Sequence, residues 1–143
     1  MTPQHRAEKS AATMWADDAA SKWLGMSLDH VDAGTAVMSF EVGPQHLNGH
    51  AICHGGYIYT LADSAFAFAC NSYNRLVVAQ QNSITYLSPA QLGERLKATA
   101  REVSLTGRSG IYDVSITAPD GRVVAEFRGG SRQIKGQHFE ETT

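Results

Sequence analysis

The sequence predicts an α+β domain, with helix and strands segregated along the chain, and three observations carry that prediction. Residues 54–73 are apolar on nearly every side of a helix and hold a single charged residue, Asp63, which marks a buried helix. Four strand-like runs follow at 77–87, 96–103, 111–118 and 122–134. They are separated by Asn74, Leu92-Gly93, Gly107-Arg108-Ser109-Gly110 and Pro119-Asp120-Gly121. Ahead of the helix, runs 28–31 and 35–42 flank Asp32-Ala33-Gly34 and read as a hairpin. One long helix therefore lies against an antiparallel sheet of five or six strands.

The elements are justified in chain order. Residues 4–23 read as an N-terminal helix, with Ala12, Trp15, Ala19 and Trp23 at spacings of three or four and Gly25 as its stop. In the hairpin's second arm, Ala36, Met38, Phe40 and Val42 alternate to one face, and Pro44 ends the strand. Within the central helix, Gly55–Asn71, a stripe of Ile58, Leu61, Ala62, Ala65 and Ala69 offers small side chains for close backbone packing. Tyr112, Val114 and Ile116, then Val123, Ala125 and Phe127, alternate as expected of a sheet with one buried face. One helix leaves the far face and edges of the sheet uncovered, so symmetric association is expected. The whole chain, 1–143, is one domain, with 1–14 and 136–143 expected as mobile ends.

Composition narrows the function. A net charge of −2 and a pI near 6.3 give no electrostatic footprint for nucleic acid or an anionic membrane. Two cysteines are too few for a disulfide framework, the first ten residues lack a signal peptide's apolar run, and no stretch reaches about 18 apolar residues. The expectation is a soluble cytoplasmic protein. No phosphate-cradling glycine loop is present, which argues against ATP- or NAD-dependent chemistry. Against that background Asp63 stands out, because a carboxylate amid Ile58, Tyr59, Leu61, Ala62, Ala65 and Phe66 is costly to bury.

Three motifs carry a resemblance. Leu47-Asn48-Gly49-His50, Cys53-His54-Gly55-Gly56 and Leu61-Ala62-Asp63-Ser64-Ala65-Phe66 together resemble the hotdog-fold acyl-CoA thioesterases, and within them the PaaI family of phenylacetate degradation. The likeness runs from Trp15 to about Ile134, through Ile84-Thr85-Tyr86-Leu87-Ser88-Pro89 and Phe127-Arg128-Gly129. It implies a sheet wrapped around one long helix, dimers whose sheets join edge to edge with sites at the subunit interface, and dimers of dimers forming a homotetramer. It also implies hydrolysis of phenylacetyl-CoA or its ring-hydroxylated forms. No cofactor is needed beyond the coenzyme A of the substrate.

Thioester hydrolysis requires an oxyanion donor, a base or nucleophile, and an oriented water. Gly55, at the start of a buried helix, offers a backbone N–H reinforced by the helix dipole, and lacks a Cβ that would obstruct the carbonyl. Gly56 leaves room for the acyl group. Asp63 supplies the carboxylate, as general base or as nucleophile. The amide of Asn48 holds water or polarises the carbonyl, and His54 supports the loop that presents Gly55. Tyr57 is a candidate for the acyl pocket and Arg108 for the coenzyme A phosphates. Gly55 and Asp63 lie eight residues apart, about 12 Å along a helix, whereas a base must come within roughly 3 Å of its target or one water beyond. Both act on one carbonyl only if they come from different subunits.

Each assignment has a structural alternative, outweighed for the first three by the full set of motifs: Asp63 as half of a buried ion pair or a cap on a neighbouring strand, His54-Gly55-Gly56 as a tight turn into a helix, and Asn48-Gly49 as an ordinary turn pair. Tyr57 reads equally as core packing. His46, His50 and His54 recur every four residues beside Cys53, as zinc ligands would on a helix, but Pro44 and Asn48-Gly49 place them on a loop, so no metal is expected. Two other functions compete with hydrolysis. A hotdog hydratase or dehydratase would need a paired His and acid. A non-catalytic acyl-CoA-binding module would usually lack the acid.

Overall fold

In the computed structural model, which describes residues 1–141, two strands before the long helix and four after it form one six-stranded sheet. The strands are β1 (Ser27–Asp32), β2 (Thr35–Glu41), β3 (Val77–Tyr86), β4 (Arg95–Thr106), β5 (Ser109–Thr117) and β6 (Val123–Gln133). Their order in space is β1-β2-β4-β5-β6-β3, with every pair antiparallel. The helices are α1 (Pro3–Ala16), α2 (Ala19–Leu24) and the central α3 (Gly55–Cys70). The expected α+β class and strand runs are therefore present, with boundaries within a few residues.

The core lies between α3 and the concave face of the sheet. Ile58, Leu61, Ala62, Ala65, Phe66, Phe68 and Ala69 of α3 are buried, and they meet Met38 and Phe40 of β2, Leu96 and Ala98 of β4, and Val114 and Ile116 of β5. These strand residues are the inward half of a period-two alternation. Close approach is enforced at Gly129 of β6, where a Cβ would sit 2.7 Å from the ring of Phe66. Burying this set supplies most of the drive to fold, at roughly 25 cal/mol per Å² of apolar surface.

The N-terminal region departs from expectation. Residues 4–23 are not one helix: the chain breaks at Asp17-Asp18, and Asp18 caps α2 by accepting from Ser21 N at 2.9 Å. The break resets the helical phase, so the stripe Ala12, Trp15, Ala19 and Trp23 is not the buried face. Ala7, Ser10 and Ala11 of α1 and Ser21 and Leu24 of α2 are buried instead, and Trp23 is 72% exposed. Gly25 does end the helix, in the left-handed conformation at φ 88°.

Both ends make contacts where they are described. Asn74 accepts from His138 N at 3.0 Å and from Phe139 N at 3.2 Å, and Arg6 pairs with Glu141 at 2.8 Å. Residues 142–143 lie outside the described residues.

Two features of the surface bear on function. β3 is an edge strand whose outer side pairs with nothing among the described residues, and Val78 and Tyr86 on it are 45% and 49% exposed. Beside it α3 is not apolar all round: Gly56, Thr60, Asp63 and Ala67, at helical spacing, form a stripe the sheet leaves partly open.

Candidate active site

The start of α3 is shaped by the residue before it. His54 is the N-cap, in extended conformation, and its Nδ1 accepts from Gly56 N at 2.9 Å. Its backbone carbonyl accepts from Tyr57 N at 3.0 Å, and its own N–H donates to the His46 carbonyl at 2.7 Å. The peptide between His54 and Gly55 is thereby fixed, with its carbonyl folded into the first turn. The Gly55 N–H points away from the helix and finds no partner among the described residues. A free N–H at the positive end of a 16-residue buried helix is a preorganised anion donor.

His46, read in the sequence only as one of three spaced histidines, is buried beneath this turn. Its Nδ1 accepts from Gly43 N at 2.8 Å, and its ring packs edge-on against Phe40 and Tyr57 at 5.0 and 5.2 Å. Burial lowers its proton affinity, against an opposing hydrogen bond with the Leu24 backbone. It acts as a neutral wedge under the helix start.

Asn48 closes a short loop whose ends pair as Leu47 with Cys53. Its Oδ1 accepts from His50 N at 2.9 Å and Ile52 N at 3.4 Å, and its backbone N–H donates to the Ile52 carbonyl at 2.8 Å. The turn reading of Asn48-Gly49 is therefore correct for the carbonyl half of the side chain. The amide half remains uncommitted among the described residues, available to a ligand.

Asp63 sits two turns further along α3, half-buried against β3. It is not ion-paired among the described residues; its Oδ1 accepts from Asn82 Nδ2 at 3.0 Å. Burial raises its proton affinity above the ordinary carboxylate range, and the Asn82 hydrogen bond opposes that rise. A half-buried carboxylate with no cation beside it is chemically suited to accept a proton.

A cleft of about 420 Å³ opens at the helix start, lined by Asn48, Ile52, Gly55, Ile58, Tyr86 and Pro89 among others. Asn48 and Gly55 are thus brought together on an apolar pocket. Asp63 does not line it within the same chain. Tyr57 does not line it either: its ring packs edge-on against His46 and His54 and tilted against Trp23, so within one chain it serves packing. Gly56, with its N–H committed to His54, lies on the open stripe of α3. Arg108 lines a small pocket with Cys70 at the opposite end of α3, about 22 Å from Gly55 along the helix. Arg128 is neutralised by Asp113 at 2.6 Å. A second groove of similar volume, between α1 and β1, is lined by Glu8, Asp29 and His30 and contains none of the candidate residues.

Two site residues escaped sequence reading. Tyr86 donates from its hydroxyl to the Gly55 carbonyl at 2.7 Å, and Asn82 bonds Asp63. The signal was the period-two alternation of β3: Asn82, Ile84 and Tyr86 share the face that meets the helix, and a polar residue there demands a partner.

Comparison with known proteins identifies the family. The thioesterase superfamily matches residues 50–125. The acyl-coenzyme A thioesterase PaaI of Escherichia coli K12 is 42% identical over 132 residues, 92% of this chain and 94% of that protein. The solved structure of the E. coli PaaI protein, from the phenylacetic acid degradation operon, superposes with a TM-score of 0.94. It is 40% identical and covers 95% of this chain and 99% of that one. A hypothetical thioesterase of Streptococcus pneumoniae TIGR4, solved with coenzyme A, superposes at 0.79 with 27% identity, over 89% of this chain and 97% of that one. With a six-stranded sheet packed on one long helix whose first turn presents a free glycine N–H, the chain belongs to the thioesterase superfamily and has the hotdog fold.

Proposed function

We propose that this acyl-CoA thioesterase of the PaaI type hydrolyses phenylacetyl-CoA and its ring-hydroxylated forms to the free acid and coenzyme A, in phenylacetate degradation. The observation that carries the reading is the free Gly55 N–H at the start of α3, opening with Asn48 on an apolar cleft. Likeness to PaaI supports the aryl-acetyl substrate, and the S. pneumoniae relative solved with coenzyme A supports the nucleotide half.

In this reading the thioester carbonyl oxygen lies against Gly55 N–H and the Asn48 amide, which stabilise the negative charge that develops when water adds. Asp63 takes the proton from that water. The tetrahedral intermediate then collapses, expelling the coenzyme A thiolate, which receives the proton from Asp63. Gly55 and Asp63 of one chain stand about 12 Å apart, so the base comes from the partner of a homodimer. The unpaired edge of β3 and the half-open stripe of α3 beside it are the surfaces such a partner would cover, with two dimers then pairing. His54, spent as the helix cap, is no acid–base partner for Asp63, which disfavours a hydratase. The free buried Cys53 and Cys70 suit a reducing cytoplasm.

The test is direct. Purified protein is incubated with phenylacetyl-CoA and a thiol reagent, and free coenzyme A is followed with time. Release that disappears in Asp63→Ala supports the reading; release at the wild-type rate in that variant refutes the mechanism.

A further inference from the structure

The seam between α3 and β3 holds an arrangement that the reaction above leaves unused. Asn82, on the helix-facing side of β3, spends its side-chain nitrogen twice: Nδ2 donates to Asp63 Oδ1 at 3.0 Å and to the Tyr59 hydroxyl at 3.0 Å. Its Oδ1 is buried and has no partner among the described residues. An amide that leaves a buried acceptor empty is in a costly orientation unless something compels it. The compulsion is electrostatic. Turned over, the amide would press its oxygen against the carboxylate oxygen; as it stands, it makes a charge-assisted bond to Asp63.

Tyr59 completes the clamp. It lies one turn before Asp63 on the same helix face, its ring packed edge-on to Phe127 at 5.6 Å, and its hydroxyl holds the second amide hydrogen. Rotation of the amide breaks the bond to Asp63 and turns the hydroxyl from acceptor to donor, so the carboxylate fixes which way the amide faces. Asp63 Oδ2 accepts no bond among the described residues, so one carboxylate oxygen is fixed and the other is presented.

We propose that Asn82 is a positioning residue for Asp63, clamped between that carboxylate and the Tyr59 hydroxyl so that one carboxylate oxygen is held and the other is offered, ionised, to the attacking water. The proposal rests on Asp63 as the base of the thioesterase reaction. Burial pushes the proton affinity of Asp63 up and the Asn82 bond pulls it back, which keeps the base ionised over a wider pH range. The titratable groups facing the seam are Tyr59 and Cys70 on α3 and Tyr86 on β3, which has no charged side chain. On β6, Arg128 pairs with Asp113 and Glu126 accepts from Ser115 across the outer face.

The experiment follows the Asp63 carboxyl by carbon-13 NMR through a pH titration, its signal assigned by its loss in Asp63→Asn. Wild type is compared with Asn82→Leu, which keeps the branched shape and removes the donor, with Asn82→Gln, and with Tyr59→Phe. Asp63 should titrate at higher pH in Asn82→Leu than in wild type, and Asn82→Gln should restore part of the difference. The acid limb of kcat/KM should move in the same direction. kcat should fall about 10- to 100-fold, the loss of one hydrogen bond to a charged group, with KM within about twofold. Tyr59→Phe should move the titration the same way by less, and it decides the matter if Asn82→Leu fails to fold. An Asp63 titration unchanged or lowered in the folded variants overturns the proposal. Because the carboxyl signal needs no turnover, a protein that fails to hydrolyse thioesters would sink the functional reading separately.

Discussion

The ring of Tyr86 lies directly over the α-carbon of Gly55: a Cβ at Gly55 would meet the Tyr86 Cζ at 3.0 Å, and the Tyr86 hydroxyl donates to the Gly55 carbonyl at 2.7 Å. This contact, and not an unusual backbone angle, is what favours glycine here. Gly55→Ala keeps the N–H but drives the ring outward into the cleft that both residues line. Hydrolysis should fall, by as much as about 100-fold where the reacting carbonyl is displaced by about 1 Å. Replacing Tyr86 with Ala in the Gly55→Ala background should return part of the rate. Tyr86→Phe alone keeps the ring and loses one hydrogen bond, about 1 kcal/mol, readable as a Tm lower by roughly 3 °C. Full activity in Gly55→Ala would show that the carbonyl does not approach this glycine.

What could be read from residues divides along physical lines. The strands and α3 were legible because burial writes itself into the sequence as a period: Tyr112, Val114 and Ile116 point in, and their neighbours do not. The N-terminal helix break was not, since Asp17-Asp18 looks like ordinary helix surface until Asp18 is seen capping Ser21. Asp63 could be singled out from composition alone, as a charge in an apolar run. Its partner could not, because Asn82 is close in space only after β3 crosses to the sheet edge next to α3, and no local pattern encodes that pairing.

A dimer whose sites borrow Asp63 from one chain and Gly55 with Asn48 from the other makes a complementation prediction. Asp63→Ala and Asn48→Ala proteins, each inactive, are mixed and allowed to exchange subunits. Random pairing gives heterodimers in half the population, each with one intact site of two, hence about a quarter of wild-type activity. The check is the rate of coenzyme A release alongside mass spectrometry of the mixed dimers. Heterodimers without activity would mean that both residues serve the same chain's site.

Asp63 also sets a pH dependence of stability. Its folded-state proton affinity is raised by burial, so the folded state holds more protons than the unfolded state between the ordinary carboxylate range and that raised value. Stability on this account falls as pH climbs through the window and stays lowered at neutral pH, where the buried charge is at full cost. Asp63→Asn removes the charge and keeps an oxygen for Asn82. It should therefore melt at a higher temperature than wild type at pH 7.5, and the gap should narrow at pH 4.5, while hydrolysis is lost. Thermal unfolding at the two pH values checks the sign; a lower Tm at pH 7.5 contradicts it.

Cysteine chemistry offers the last discrimination, because Cys53 lies within two residues of Gly55 and a thiol there invites the idea of an acyl-enzyme on sulfur. Burial pushes the Cys53 thiol up to about 11 and the Cys70 thiol up to about 12, and Cys53 Sγ donates to the His54 carbonyl at 3.6 Å. At pH 7.5 the thiolate of either is a fraction on the order of one part in a thousand or less, and the thiolate is the nucleophile. Native protein should therefore react slowly with a disulfide reagent and release two equivalents only after denaturation, leaving a low background for the coenzyme A assay. Cys53→Ala should cost about 1 kcal/mol of stability for the methyl-sized void and keep kcat within about threefold. A kcat lowered 100-fold, with an acyl adduct on Cys53 trapped in the wild type and seen by mass spectrometry, would transfer the nucleophile's role from the water of the proposed mechanism to sulfur.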